Sequence, residues 1–394
     1  MKMWVESLVL FFIGISLTLF LAGCSGLSWS SATQQSQGSV VASPTPIPVP
    51  SAAATGGPQI WHNQGLIDSG TGDYGSLFYS PSGDLYVVYS DIVASAENLN
   101  VQVRPFGGAF GGATLITTDG RTSCMYFNSP SDMWLASESS SQANIFHSTD
   151  TGVTWNPIQS YPAVTLGSSE GDFPCQFETV GGNPSLYFGE TNSIQTAAFG
   201  GPWPGSASVF SSPITSLGSV LFQAPSTYLV SSSQIYQSSD GGATYSQVGS
   251  FSNVGGLFLR ASDNSIFVAD DFKSGAGPLN EYWEVWQSPD FGTSWTDLVI
   301  DNDVLNFGKS YVASIGSLIA SLVVVNNNQI YSMISYDGGV TWNLPTLLVD
   351  VSGAGNFIRS VNVSTSTTAS TIGFVYSVED ALGTRLGVYL EELF

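Results

Sequence analysis

Four times this chain spells the same eight-residue turn, Ser-x-Asp-x-Gly-x-Thr/Ser-aromatic: Ser148 to Trp155, Ser238 to Tyr245, Ser288 to Trp295 and Ser335 to Trp342. Its aspartates fall 90, 50 and 47 residues apart, which means repeated units of about 45–50 residues with one copy worn away. Degenerate copies stand at Thr196–Trp203 and, one period earlier, at Pro105–Gly112. The turn has the composition of a backbone device. An aspartate in a bend accepts hydrogen bonds from nearby N–H groups, and glycine supplies the positive φ that the bend needs. Ser and Thr hydroxyls occupy further backbone groups, while the aromatic opens the next strand and packs into it. Repetition also argues against chemistry, because an enzyme needs one active site. Asp150, Asp240, Asp290 and Asp337 are therefore read as holders of turns.

Each copy follows short β-rich runs and precedes one more. Around the third copy LFLRA, SIFVAD and YWEVWQ come first and TDLVI follows. Four short strands per unit, with hardly a helical stretch after residue 24, predict an all-β fold. Innermost strands near SLFYSP, CMYFNSP, CQFETVGG, SVLFQAP, GLFLRAS, YVASIGS and FIRSVNVS predict a seven-bladed β-propeller, with six blades as the alternative. Residues 59–69 look like an isolated outer strand. It is expected to pair after RLGVYLEEL and join the two ends of the chain, removing exposed sheet edges. From about residue 58 onward the chain resembles the Asp-box, or bacterial neuraminidase repeat, propellers. That family includes sialidases, some glucan hydrolases, sortilin-type receptors and a photosystem assembly factor. The resemblance implies the architecture; one fold hosts many activities, so it implies little about function.

Ahead of the repeats lie two other segments. Residues 1–23 carry Lys2, an apolar run and Leu21-Ala22-Gly23 before Cys24, which resembles a bacterial lipoprotein signal peptide. The resemblance implies lipidation at Cys24 and anchorage in the cell envelope, outside the cytoplasm; a plain membrane anchor or a secretory signal are the alternatives. Residues 24–57, rich in Ser, Pro and Ala and free of charge, read as a disordered tether, and 58–394 as the propeller domain. Net charge is −22 because only eight Lys and Arg stand against 30 Asp and Glu. Such scarcity of bases argues against nucleic acid as a partner, since phosphate contacts need clustered Lys and Arg. It also means that little positive charge builds up when carboxylates protonate, so an acidic surrounding is expected to be tolerated.

Function is expected on the rim opposite the repeated turns, where the other loops gather many carboxylates. No cofactor is indicated, although calcium is the ion that such a face could take. The sialidase resemblance implies three arginines on a substrate carboxylate, a Tyr/Glu nucleophile pair and an acidic Asp. Arg104 and Arg260 align toward the repeated-turn rim, leaving Arg121, Arg359 and Arg385 for the other; the nucleophile and acid match no position. A carboxylate-pair hydrolase would draw on Asp271 and Glu281, with Trp283 stacking on sugar, unless Trp283 is simply a core residue of its strand. Neither His62 nor His147 lies near a Cys or an acidic cluster, so no metal site is indicated. Cys124 and Cys175 hold matching places on adjacent inner strands and are expected to form a disulfide. The leading reading is a protein- or glycan-binding scaffold; the alternative is a glycoside hydrolase, sialidase-like or working with a carboxylate pair.

Overall fold

The computed structural model describes residues 61–394 except 70–71, 94–95, 140–141, 163–174, 181–182, 191–192, 199–206, 209–216, 224–225, 232–233, 239–243, 252–253, 261–262, 264, 274–280 and 302–306. Cys24, the signal and tether segments, and Asp240 lie outside the described residues. Among those described, one short 3-10 turn at Ser352–Ala354 is the whole helical content, and no helix is long and apolar enough to cross a membrane. The all-β expectation is met.

The described strands form seven four-stranded antiparallel sheets. Strand β1 (Trp61–Ser69) comes first in the chain. The first sheet then follows as β2 (Gly72–Tyr79), β3 (Leu85–Val93), β4 (Ala96–Arg104) and β5 (Thr114–Thr117). The second is β6 (Arg121–Ser129), β7 (Asp132–Ser139), β8 (Gln142–Ser148) and β9 (Asn156–Pro162), and the third β10 (Cys175–Val180), β11 (Asn183–Glu190), β12 (Ser193–Ala198) and β13 (Ala207–Ser208). The fourth is β14 (Leu217–Gln223), β15 (Ser226–Ser231), β16 (Gln234–Ser238) and β17 (Ser246–Ser250). The fifth is β18 (Val254–Arg260), β19 (Ser265–Lys273), β20 (Glu281–Ser288) and β21 (Thr296–Asp301), and the sixth β22 (Phe307–Ile315), β23 (Leu318–Val325), β24 (Gln329–Ser335) and β25 (Thr346–Asp350). In the seventh, β26 (Phe357–Ser366), β27 (Thr371–Glu379) and β28 (Arg385–Leu393) are completed by β1, with Trp61 opposite Leu393 and Ser69 opposite Gly387.

Six of these sheets are up-and-down meanders and the seventh is a three-strand meander joined by β1; each first strand touches the first strand of the next sheet: β2 with β6, β6 with β10, and so on to β22 with β26, and β26 with β2. This is a propeller-like arrangement. The apolar core lies between sheets. Tyr86, Val88, Leu99 and Val101 of the first sheet meet Met133, Leu135 and Phe146 of the second, while Leu77 and Val87 meet Val375, Val388 and Leu390 of the seventh. Covered on both faces, second strands need continuous apolar runs, and β23 (LIASLVVV) is buried at every position. Fourth strands lie outside and are half exposed, as in β25. Trp61 anchors β1 by setting its ring edge-on to Phe374 at 5.1 Å and donating its Nε1–H to Ser332 Oγ at 3.1 Å.

Candidate functional site

The repeated turns join third strands to fourth strands. In the copy at 148–155, Asp150 Oδ1 accepts from the Ser148 hydroxyl (2.9 Å) and the Thr154 N–H (2.8 Å), and Oδ2 accepts from the Thr154 hydroxyl (2.7 Å). The same three bonds recur at Asp290 and at Asp337 with lengths of 2.6–3.0 Å. Gly152, Gly292 and Gly339 have φ of 83°, 86° and 96°, and each gives its N–H to the opening serine. The hydroxyl and N–H donors hold the Asp150 and Asp290 carboxyls below the ordinary range; at Asp337 they do so against some desolvation. Each of these side-chain bonds comes from the aspartate's own loop. Asp150, Asp290 and Asp337 are turn holders, and the loop 105–113, where a worn copy was read, occupies the same place between β4 and β5.

At the opposite ends of the strands a charged network fills the rim. Asp73, at the start of β2, has no exposure, and its Oδ2 accepts from Arg385 Nε at 2.7 Å and Arg359 Nε at 3.0 Å. Both guanidiniums also reach Glu379, at the end of β27. Arg359 donates in addition to the Tyr74 hydroxyl, its guanidinium lying 4.9 Å from the centre of that ring. Burial pushes the Asp73 carboxyl above the usual carboxylate range, while Arg385 and Arg359 pull the other way. Arg121, at the start of β6, is bound instead to Glu97 of β4 and faces Glu138 of β7 across the strand pair. Burial raises Glu138 to about 7, opposed by Arg121 and reinforced by Glu97.

Next to this network lies a pocket of about 450 Å³ between the sixth and seventh sheets. Phe357, 40% exposed, forms part of its wall together with Tyr311, Asn327 and Lys309, and Arg359 and Glu379 give it polar atoms. Such a wall, with apolar side chains and fixed polar groups in about equal share, can take a small ligand or a partner's side chain.

No protein-family model matches the chain. No curated protein matches it either. Among solved structures it is similar to a Dyadobacter fermentans protein of unknown function, at 10% identity over 84% of this chain and 98% of that one, with a TM-score of 0.46. It is similar also to the core factor of S. cerevisiae, at 11% identity and TM-score 0.50 over 85% of this chain and 61% of that chain. A candidate 6-phosphogluconolactonase from Bacteroides uniformis gives 13% identity and TM-score 0.50 over 70% and 85%. The likeness is one of fold alone.

Of the residues singled out in the sequence, Arg359 and Arg385 share Asp73 and Glu379, whereas Arg121 is paired with Glu97 and meets the network only through the charge of Tyr74. Arg104 lies at the repeated-turn end, as its alignment suggested, gripped by Glu392 at 2.7 and 2.5 Å. Trp283 is not a ligand platform: it is fully buried against Val323, Val325 and Met333, its Nε1–H spent on Ser321 Oγ at 2.9 Å. The side chains of Asp271 and Glu281 lie outside the described residues. Cys124 is disulfide-bonded on β6, beside β10; the Cys175 side chain lies outside the described residues. His147 stacks on Trp134 at 4.0 Å and bonds Asp132 at 2.6 Å, a strand position. Among the described residues no group of three or more His, Cys, Asp or Glu is placed to hold a metal ion. Sequence reasoning missed Asp73 and Tyr74, whose only local sign was an acid and an aromatic beginning the first inner strand.

Proposed function

We propose that residues 58–394 are a seven-bladed Asp-box β-propeller, closed by its N-terminal outer strand, that acts as a lipid-anchored extracytoplasmic scaffold. It binds a protein or glycan ligand on the rim opposite the repeated turns. The pairing of β1 with β28, the succession of first-strand contacts that returns from β26 to β2, and the shared core of first and seventh sheets support the ring. Membrane attachment through Cys24 rests on the sequence of residues 1–24.

One observation carries binding over catalysis. Arg359 and Arg385 each touch both Asp73 and Glu379, and Arg121 touches Glu97, so all three guanidiniums are neutralised by the chain's own carboxylates. A guanidinium already paired with carboxylates of its own chain has fewer N–H donors and less net charge left to grip a substrate carboxylate. The network therefore acts as a rigid floor beside the pocket, a task that suits a scaffold. A glycan array and a parallel hydrolysis assay test this reading with the full chain and the variant Phe357→Asp. The scaffold predicts saturable binding without sugar release, weakened about tenfold or more when a charge replaces the exposed ring. Release of sugar by the wild-type protein would turn the conclusion to the glycoside hydrolase.

A further inference from the structure

Exposed apolar side chains are concentrated on the rim of the repeated turns. Twelve large ones are exposed among the described residues, and six stand here: Phe106 in the first sheet, Val153 in the second, Tyr336, Val340 and Leu344 in the sixth, and Phe394 just after β28 in the seventh. These four sheets are consecutive, since β22 touches β26, β26 touches β2 and β2 touches β6. The opposite rim has two, Phe357 and Leu382. Leu115, Ile158 and Leu347 are each among the first three residues of a fourth strand, so the apolar band continues from the same rim down the outer wall. Val340 and Leu344 are 80% and 84% exposed, so nothing in the described chain covers them. Single apolar side chains scattered on a surface need no explanation, whereas their gathering on one rim marks a surface that something else covers.

The carboxylates that share this rim are already hydrogen-bonded by the chain. Asp84 accepts from the Ser82 hydroxyl at 2.6 Å and the Phe106 N–H at 2.8 Å, and Asp132 is bonded by Asn128 at 2.7 Å and His147 at 2.6 Å. Asp150 and Asp337 hold their own turns. Acids whose acceptors are occupied lose less on leaving bulk water than free ones do. Arg104, the basic residue at this end of the first sheet, is taken by Glu392. The rim therefore offers apolar side chains beside uncompensated negative charge. An anionic lipid surface would repel it. A second copy of the chain, meeting it through the same patch, would set the four aspartates against themselves. A zwitterionic phospholipid fits both features, with its ammonium outermost and hydrocarbon beneath. The chain also joins the described residues on this side: β1 begins at this rim, with Trp61 opposite Leu393, and Cys24 precedes Trp61 by 37 residues.

We propose that the repeated-turn rim of the sixth, seventh, first and second sheets lies on a zwitterionic phospholipid surface, with Val340, Leu344, Val153 and Phe106 among the headgroups. The inference rests on the reading of a lipid anchor at Cys24, and it leaves the opposite rim facing away from the membrane toward its ligand. The full chain is reconstituted in phosphatidylcholine vesicles with a photoactivatable benzophenone side chain in place of Val340, Val153 or Leu382. Phospholipid adducts are expected from the first two positions and not from Leu382, although Leu382 is the most exposed of the three at 91%. Leu344→Asp is expected to lower the yield at position 340, and so is replacing phosphatidylcholine by phosphatidylglycerol. No adduct at 340, an equal yield at 382, a yield unmoved by Leu344→Asp or by the change of lipid, or a cross-linked dimer of the chain at 340 overturns the proposal. So does irradiation in cell envelopes that joins position 340 to another protein in place of lipid. The mass of the N-terminal peptide reads acylation of Cys24 separately. An acylated chain without adduct at 340 overturns the docking and keeps the anchor, whereas an adduct from a chain with an unmodified Cys24 keeps the docking and overturns the anchor.

Discussion

Burying a carboxylate with no exposure, as at Asp73, would be unfavourable without the two guanidiniums that meet its Oδ2 and the Tyr74 N–H that meets its Oδ1 at 3.0 Å. Removing that one side chain leaves Arg359 and Arg385 side by side with only Glu379 between them. Breaking a buried pair in this way costs about 3–5 kcal/mol, far more than the net worth of keeping it. Asp73→Ala is expected to lower the free energy of unfolding by that amount in urea titrations, and a loss under about 1 kcal/mol, the scale of a surface ion pair, would show that the network does not hold the rim. None of this was legible from the chain. Asp73 stands 286 residues from Arg359 and 312 from Arg385, and no local pattern records a contact of that range. The repeated turns were legible for the opposite reason, since every bond that Asp150 or Asp337 makes lies within four residues.

At the scale of elements, β1 stands far from its sheet in sequence yet supplies the outer edge of β28. Without it, β28 would present a row of unpaired N–H and C=O groups, a template for association with other chains. The chain would also lose the half-buried Trp61 from its place against Phe374, at a cost below the roughly 3–5 kcal/mol of a fully buried Trp→Ala substitution. A chain beginning at residue 70 is expected to melt lower and to aggregate on size-exclusion chromatography, and a synthetic peptide of residues 59–71 should reverse both effects. An unchanged melting temperature would sink that account of β1. The strands themselves were readable because turn residues separate short apolar runs, and each expected inner strand lies where its sequence suggested. Facing was not readable. In EYWEVWQS the alternation separates Trp283 from Glu284 and Trp286, yet both faces of the fifth sheet are covered by apolar neighbours. A period of two therefore could not say that Trp283 is core and Trp286 borders a cavity.

Over the whole molecule, two opposed sets of carboxyls govern how stability follows pH. Burial raises Glu138 and Glu391 each to about 7, and also raises Asp73, Asp91 and Glu284. Their ordinary values, about 4.5 for glutamate and 3.8 for aspartate, apply once the chain unfolds. Between 4.5 and 7 the native protein thus retains protons that the unfolded chain has released, so stability must fall as pH rises across this window. For the two glutamates together the change is on the order of 3 kcal/mol, allowing for partial exposure. The aspartates of the repeated turns work in the other direction. Their folded values lie below 3.8, so what they contribute is present above that pH and lost as pH falls through the depressed values. With only eight Lys and Arg, protonation also carries the chain from −22 toward neutrality before any large positive charge accumulates. Thermal unfolding should therefore show its highest midpoint near pH 4 to 4.5, a lower one at pH 7, and a decline again toward pH 3. A midpoint that rises steadily from pH 4 to pH 7 would mean that Glu138 and Glu391 ionise as freely in the folded protein as in the open chain.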